Sequence, residues 1–188
     1  MLRSGDRFLI MRRAAFLDRD GVLNQTLLIG GVPKPPNSIS EVKILNGALE
    51  GIQLLKKNGF IPVVITNQPD VARGKQSKEI VEAINLHIGS KLQIEHFFTC
   101  FHDDLDYCSC RKPAPGLILQ AAAQLQLDTS RSFLVGDRWR DITAGQAAGC
   151  QSYFIDYSYG EKQPDMPYFK VNSLLEAARI AVGERNGV

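Results

Sequence analysis

Two aspartates one residue apart, in the run Phe16-Leu17-Asp18-Arg19-Asp20-Gly21-Val22-Leu23-Asn24, have the type and spacing best suited to chemistry in this chain of 188 residues. The apolar residues ahead of them predict a buried strand, and Gly21 lets the backbone turn away at its end. Alternation along a strand sends Asp18 and Asp20 to one side and Arg19 to the other. Neighbouring carboxylates at a strand end repel each other unless a cation or a reaction occupies the gap. Asp-x-Asp-Gly also opens calcium loops, but those need a late glutamate, and Ile29 stands at that position. The pair therefore points to catalysis.

A second constellation is Cys100, His102, Cys108 and Cys110, which places three of the four cysteines within eleven residues. The apolar run at residues 8–11 is too short for a signal peptide or a membrane span, so such clustering argues for metal rather than disulfides. Three thiolates and one imidazole complete a tetrahedral zinc set with no position left for water or substrate, which makes its role structural. Zinc at this loop, residues 100–110, would project Arg111 and Lys112 from its end. Cys150 stands alone and reads as a core thiol, while His87 and His96 read as ordinary.

The elements that must position these groups alternate along the chain. Residues 60–66 form a second strand, continuous in apolar residues as parallel strands are, with Pro62 near its start. Further strands are expected at 95–101, 132–137 and 151–156. Helices are expected from Asn46 to Lys57, from Ser77 through Ile88, over 116–125 after Pro115, over 139–148 ahead of Gly149, and after the Ser173-Leu174-Leu175-Glu176 capping box. Between the first strand and first helix, residues 25–46 carry turn signals at Gly30-Gly31, Pro33 and Pro35-Pro36, and read as a flap or hairpin over the strand end. Strand–helix alternation implies a doubly wound parallel sheet with helices on both faces and no large cap domain. Ligands bind such sheets beyond the carboxyl ends of the strands, which is where Asp18, Asp20, Thr66, Asn67 and Asp137 all fall.

Composition adds bounds. Hydrophobic residues make up 44% and charged residues 22%, ordinary values for one soluble domain, expected over 14–188 with residues 1–13 as an N-terminal extension. Met11 is a candidate start. A net charge of +2 gives no reason to expect a polyanion. The expected partner is a small molecule, with neither nucleic acid nor membrane, for a monomeric cytoplasmic protein.

In order along the chain, Asp18-Arg19-Asp20-Gly21, Thr66-Asn67-Gln68, Arg111-Lys112-Pro113 and Gly136-Asp137-Arg138-Trp139-Arg140-Asp141 resemble the four motifs of haloacid-dehalogenase-superfamily phosphatases. The zinc loop narrows the resemblance to the branch that holds histidinol-phosphate and heptose-bisphosphate phosphatases. Together with Val71-Ala72-Arg73-Gly74, the motifs are most similar to the D-glycero-D-manno-heptose 1,7-bisphosphate phosphatase family. The resemblance implies a Rossmann-like fold and hydrolysis of a sugar phosphate through an aspartyl-phosphate. Asp18 would be the nucleophile and Asp20 the acid and base. Mg2+ would sit on Asp18, Asp137 and the backbone carbonyl of Asp20, neutralising the anionic ester. Asp141 is either a further ligand or a first-turn helix acid. Thr66 and Asn67 would donate to phosphoryl oxygens, and Lys112, more than Arg111, would neutralise them. Carried over by position, substrate recognition falls to Thr26, Leu27, Leu28, Ile29, Gln68, Pro69, Arg111 and Arg138. Pro69-Asp70 stands where that family commonly has Ser-Gly, and the flap is rich in proline; both bear on the sugar more than on the reaction. The competing readings are a histidinol-phosphate phosphatase, a DNA 3′-phosphatase, which lacks an aromatic and basic groove here, and a zinc-stabilised binding protein without catalysis.

Overall fold

The computed structural model describes residues 11–30 and 32–184. Residues 1–10 of the expected N-terminal extension lie outside the described residues, as does Gly31 of the flap. Strand β1 (Arg13–Leu17) occupies the middle of a six-stranded sheet in the order β5-β4-β1-β6-β7-β8. Its neighbours are β4 (Phe60–Asn67) and β6 (Phe133–Gly136), with β5 (His96–Cys100), β7 (Gln151–Ile155) and β8 (Phe169–Val171) outside them. Every pairing is parallel. The chain builds outward from β1 on one side and then returns to build on the other. The direction of winding thus switches at the carboxyl end of β1, where an open parallel sheet leaves a crevice.

Period-two alternation makes β1 a double-sided core strand. Ala15 and Leu17 pack into one cluster with Ile52 of α1 (Ala48–Lys57), Ile84 of α2 (Lys78–Leu92) and Ala177 of α5 (Leu174–Ala181). Ala14 and Phe16 pack into the opposite cluster with Ile118 of α3 (Gly116–Leu125) and Ile142 of α4 (Trp139–Ala147). Phe16 has no exposed surface, so its truncation to alanine is expected to cost about 3–5 kcal/mol. The carboxyl end of β1 therefore rests on two cores at once.

Three elements differ from expectation, while the flap is the hairpin expected. Strand β1 takes in Arg13, and Arg12 is tied to the domain through Gln126 and Asp128, so the extension ends earlier than residue 13. Helix α1 is preceded by Gly47 at φ 79°, not capped by Asn46, because a glycine takes that left-handed turn without strain. Strand β8 lies outside every expected element; three residues are too few for a periodic signal, and Phe169 is held by stacking on Tyr153 at 5.4 Å. The flap contains a hairpin, β2 (Leu27–Ile29) and β3 (Val32–Lys34). Its base is fixed by bonds from Gln25 to Lys43 and from Leu45 to Leu23. No helix among the described residues is long and apolar enough to cross a membrane.

Candidate active site

The residue after β1 is Asp18, whose amide donates to the Val135 carbonyl at 2.9 Å and so fixes the end of β1 against β6. Asp18 and Asp20 both line the cavity described below, as alternation leads one to expect, and Arg19 does not. Its side chain is fully buried and reaches Asp20 Oδ2 through Nε at 3.1 Å and NH2 at 2.9 Å. The same guanidinium donates to Asn85 of α2 at 2.8 Å. Asp20 Oδ2 also accepts from Gln68 Nε2, and Oδ1 accepts from Asn24 Nδ2, each at 2.9 Å. Three donor side chains thus hold one carboxylate.

Asp137 follows β6, and Gly21 makes room for it. Gly21 sits at φ 93°, and a Cβ there would lie 2.0 Å from Asp137 Oδ2. Asp141 is one turn into α4, where Oδ2 accepts the Arg138 amide at 2.9 Å and its Cβ would meet a side chain at Gly136. One oxygen from each of Asp18, Asp137 and Asp141 lies within 4.8 Å of the others, and all three residues are buried. Lys112 Nζ reaches Asp18 Oδ1 and Asp141 Oδ1, both at 2.6 Å, and the Ile65 carbonyl at 2.8 Å. Its backbone is held by Asn67, which donates to the Lys112 carbonyl at 3.0 Å and accepts the Lys112 amide at 3.1 Å.

The electrostatics follow from burial. Burial pushes Asp18 up to about 7 against the pull of Lys112, with the charges of Asp141 and Asp20 adding to the rise. Burial likewise holds Asp137 well above the carboxylate range, reinforced by Asp18 and Asp141. For Lys112, burial works against the charged form, but the Asp141 and Asp18 carboxylates outweigh it and keep the ammonium protonated. The cluster is short of positive charge, and Asp137 Oδ1 is buried without any hydrogen-bond partner among the described residues. An oxygen-lined divalent cation fits both facts.

These groups floor a cavity of about 220 Å³. Thr66, Asn67 and Lys112 line it with Asp18, Asp20, Asp137 and Asp141. The rim brings in Thr26, Pro69, Arg111 and Arg138 from the expected set. Leu27, Leu28 and Ile29 do not line it, and Leu28 and Ile29 face solvent, because the hairpin turns its other strand inward through Pro33 and Lys34. Gln68 is not on the wall either; it is buried behind it, bridging Asp20 and Thr66 Oγ1. Arg73, Asp104 and Arg140 line the cavity without having been singled out, although Arg73 and Arg140 lie inside quoted motifs. Tyr159 was missed outright; its hydroxyl donates to Asp137 Oδ2 at 3.0 Å, and nothing in the sequence around it marks the position. A larger groove of about 1080 Å³ between α2 and β5 contains none of these acids.

The cysteine cluster closes beside this rim. Cys110 Sγ lies 3.2 Å from Cys100 Sγ, 3.3 Å from Cys108 Sγ and 3.3 Å from His102 Nδ1. Cys100 Sγ lies 3.7 Å from Cys108 Sγ. A tetrahedron with Zn–S near 2.3 Å has S···S edges of about 3.8 Å; the Cys100–Cys108 separation meets that, and the two to Cys110 are about half an ångström shorter. Between His102 and Cys108, Asp103 accepts from two Arg73 nitrogens, Nε at 2.8 Å and NH2 at 2.5 Å, while Asp104 Oδ1 accepts from Arg111 at 2.8 Å and Arg140 at 3.1 Å.

A parallel sheet with paired acids after its central strand, a buried lysine and a third acid after the next strand defines a hydrolase of one class. The chain belongs to the haloacid dehalogenase-like hydrolases, whose family description matches residues 37–149, and it is a phosphatase. It is similar to the D-glycero-beta-D-manno-heptose-1,7-bisphosphate 7-phosphatase of Pasteurella multocida (strain Pm70), 34% identical over 149 residues, 73% of this chain and 78% of that one. The protein of the same description from Rhodopseudomonas palustris is 34% identical over 183 residues, covering 91% of this chain and 95% of that one. Among solved structures, the D,D-heptose 1,7-bisphosphate phosphatase from B. bronchiseptica, complexed with magnesium and phosphate, matches with a TM-score of 0.79 and 27% identity over 92% of this chain and 99% of that chain.

Proposed function

We propose that this phosphatase removes the 7-phosphate of D-glycero-D-manno-heptose 1,7-bisphosphate or a closely related sugar phosphate. The observation that carries the reaction is the approach of the Lys112 ammonium to Asp18 beside the unpartnered Asp137 oxygen. Asp18 attacks the phosphoryl group and forms an aspartyl-phosphate, which divides one difficult hydrolysis into two steps. Asp20 passes a proton to the departing sugar oxygen and then takes one from the attacking water. Its Oδ1, which meets only Asn24 while Oδ2 meets Arg19 and Gln68, is the oxygen we assign to carry that proton.

Lys112 neutralises charge on the nucleophile and on the transferring group. Asp141 has both oxygens engaged, one by Lys112 and one by the Arg138 amide, so we assign it chiefly to holding the lysine rather than a cation. Asn67 keeps one amide hydrogen on the Lys112 carbonyl and has the second to offer a phosphoryl oxygen, alongside the Thr66 hydroxyl. Asp18, Asp137 and the Asp20 carbonyl would hold Mg2+, which supplies positive charge against the phosphate when bound. Cys100, His102, Cys108 and Cys110 would hold zinc, which closes the loop and takes no part in the chemistry.

The rim favours a substrate with a second anionic group. Arg73, Arg111, Arg138 and Arg140 line it, and an amino-alcohol phosphate such as histidinol phosphate would bring its own cation against them. A phosphate-release panel tests the assignment: both heptose bisphosphate anomers, histidinol phosphate and a 3′-phosphorylated oligonucleotide. The heptose bisphosphates should show the highest kcat/KM, and a higher value for any other compound would overturn the substrate.

A further inference from the structure

Thirteen residues separate β7 from β8, and this segment touches the acid cluster at more than one point. The Tyr157 hydroxyl donates to the Gly21 carbonyl at 3.0 Å, directly beneath Asp137. The Tyr159 hydroxyl donates to Asp137 Oδ2 at 3.0 Å and lies 3.2 Å from Thr26 Oγ1. The two rings sit 5.6 Å apart, and Glu161 pairs with Arg138 just beyond them. The tyrosine hydrogen is engaged by the carboxylate, so Thr26 is the donor in the second contact. A continuous hydrogen-bonded line therefore runs from the foot of the flap through Tyr159 to Asp137.

We infer that Tyr159 is a positioning residue that ties down one oxygen of Asp137 and leaves the other to meet a cation, so that the site selects a small octahedral ion over a larger one. The two oxygens of Asp137 are not equivalent. Oδ2 is fixed by the Tyr159 hydroxyl and lies in the space that the absence of a Cβ at Gly21 leaves, whereas Oδ1 is buried without a partner among the described residues. A carboxylate restrained in this way offers a single oxygen. Mg2+ demands near-ideal octahedral geometry, while Ca2+ readily takes both oxygens of a carboxylate and more ligands in all. Partners that orient a ligating group also set the affinity of the metal it holds. The inference rests on Asp137 being a cation ligand.

The test is calorimetric titration of the full chain, freed of Mg2+, with MgCl2 or CaCl2 alone. Tyr159→Phe removes only the hydroxyl. It should weaken Mg2+ binding about tenfold while Ca2+ binding changes less, so the Mg2+/Ca2+ preference shrinks. Unchanged affinities, or parallel losses for both ions, would overturn the inference. Asp137→Asn separates the two levels of the argument. If that variant binds Mg2+ as the unaltered chain does, Asp137 is not a ligand and the premise falls. If it loses binding while Tyr159→Phe is silent, the role of Tyr159 alone falls. Thr26→Val keeps the tyrosine ring and removes the donor that orients its hydroxyl, so it should move the ion preference the same way by a smaller factor. Should Tyr159→Phe fail to fold, an unshifted preference in Thr26→Val overturns the inference.

Discussion

Asn67 and Lys112 exchange two hydrogen bonds across 45 positions of sequence, the amide of one side chain pairing with both polar groups of the other residue's backbone. Lys112 lies in a loop, and this exchange, with the Ile65 carbonyl at its ammonium, places it against Asp18. Asn67→Ala leaves a partly buried N–H and C=O without partners, so it should lower unfolding free energy by about 1–3 kcal/mol. Turnover should fall in step as the ammonium loses its aim. Urea denaturation and steady-state phosphate release check both, and full turnover in this variant would contradict the positioning.

Asp18→Asn keeps the size of the side chain and removes the nucleophile. Circular dichroism should show an intact fold while kcat drops by a factor of about 10³ or more. Retained phosphate release would remove Asp18 from the reaction.

Stripping zinc, or replacing one ligand as in Cys108→Ser, should lower the melting temperature and kcat/KM together. Asp103 and Asp104 lie between His102 and Cys108, so Arg73, Arg111 and Arg140 would lose their anchors if the loop opened. Added Mg2+ should not restore either quantity. A zinc-free protein with unaltered melting and activity would show that the loop stands without it.

Asp104→Ala releases Arg111 and Arg140 without touching the acids at the floor. For a bisphosphate, KM should rise about tenfold, equivalent to about 1.4 kcal/mol, with kcat little changed. A small aryl monophosphate, which does not reach the rim, should show no difference. Equal effects on both substrates would mean that Asp104 supports the fold rather than recognition.

Cys150 supplies a pH test away from the site. Burial pushes its thiol up to about 12 from an ordinary 9.0. A raised value in the folded state means its contribution to stability is constant below pH 9 and is lost as pH climbs from 9 toward 12. Cys150→Ala should flatten the alkaline limb of the stability curve, by at most about 1.4 kcal/mol per pH unit. A limb of unchanged steepness would assign it to other groups.

The central strands were legible because β1, β4 and β6 are buried on both faces and so read as unbroken apolar runs. Their terminal acids identified themselves by falling together at one end of the sheet. Strand β8 was hidden because an edge strand of three residues needs neither apolar run nor alternation. Arg19 lies off the cavity wall that Asp18 and Asp20 share, but its hold on Asp20 and Asn85 is a contact across the fold that periodicity does not show. Leu27, Leu28 and Ile29 were assigned by position to substrate contact, but the register of the hairpin decides which of its strands faces inward, and that register depends on the turn. Gln68 and Tyr159 act through other residues, so their importance lies in contacts made across the fold. Cys100, His102, Cys108 and Cys110 were the opposite case: their chemistry is in their identity, and spacing alone brought them together.

The loop from Cys100 to Cys110 brings the sulfur atoms of its two ends together, with Asp104 of its charged middle at the cavity mouth. With zinc bound, the four side chains would bear the mechanical connection, and changes in that middle would not propagate into β5 or α3. The segment would then be an exchangeable cassette. Grafting a differently charged version between the same four ligands should retarget the hydrolase while its reaction centre stays as it is.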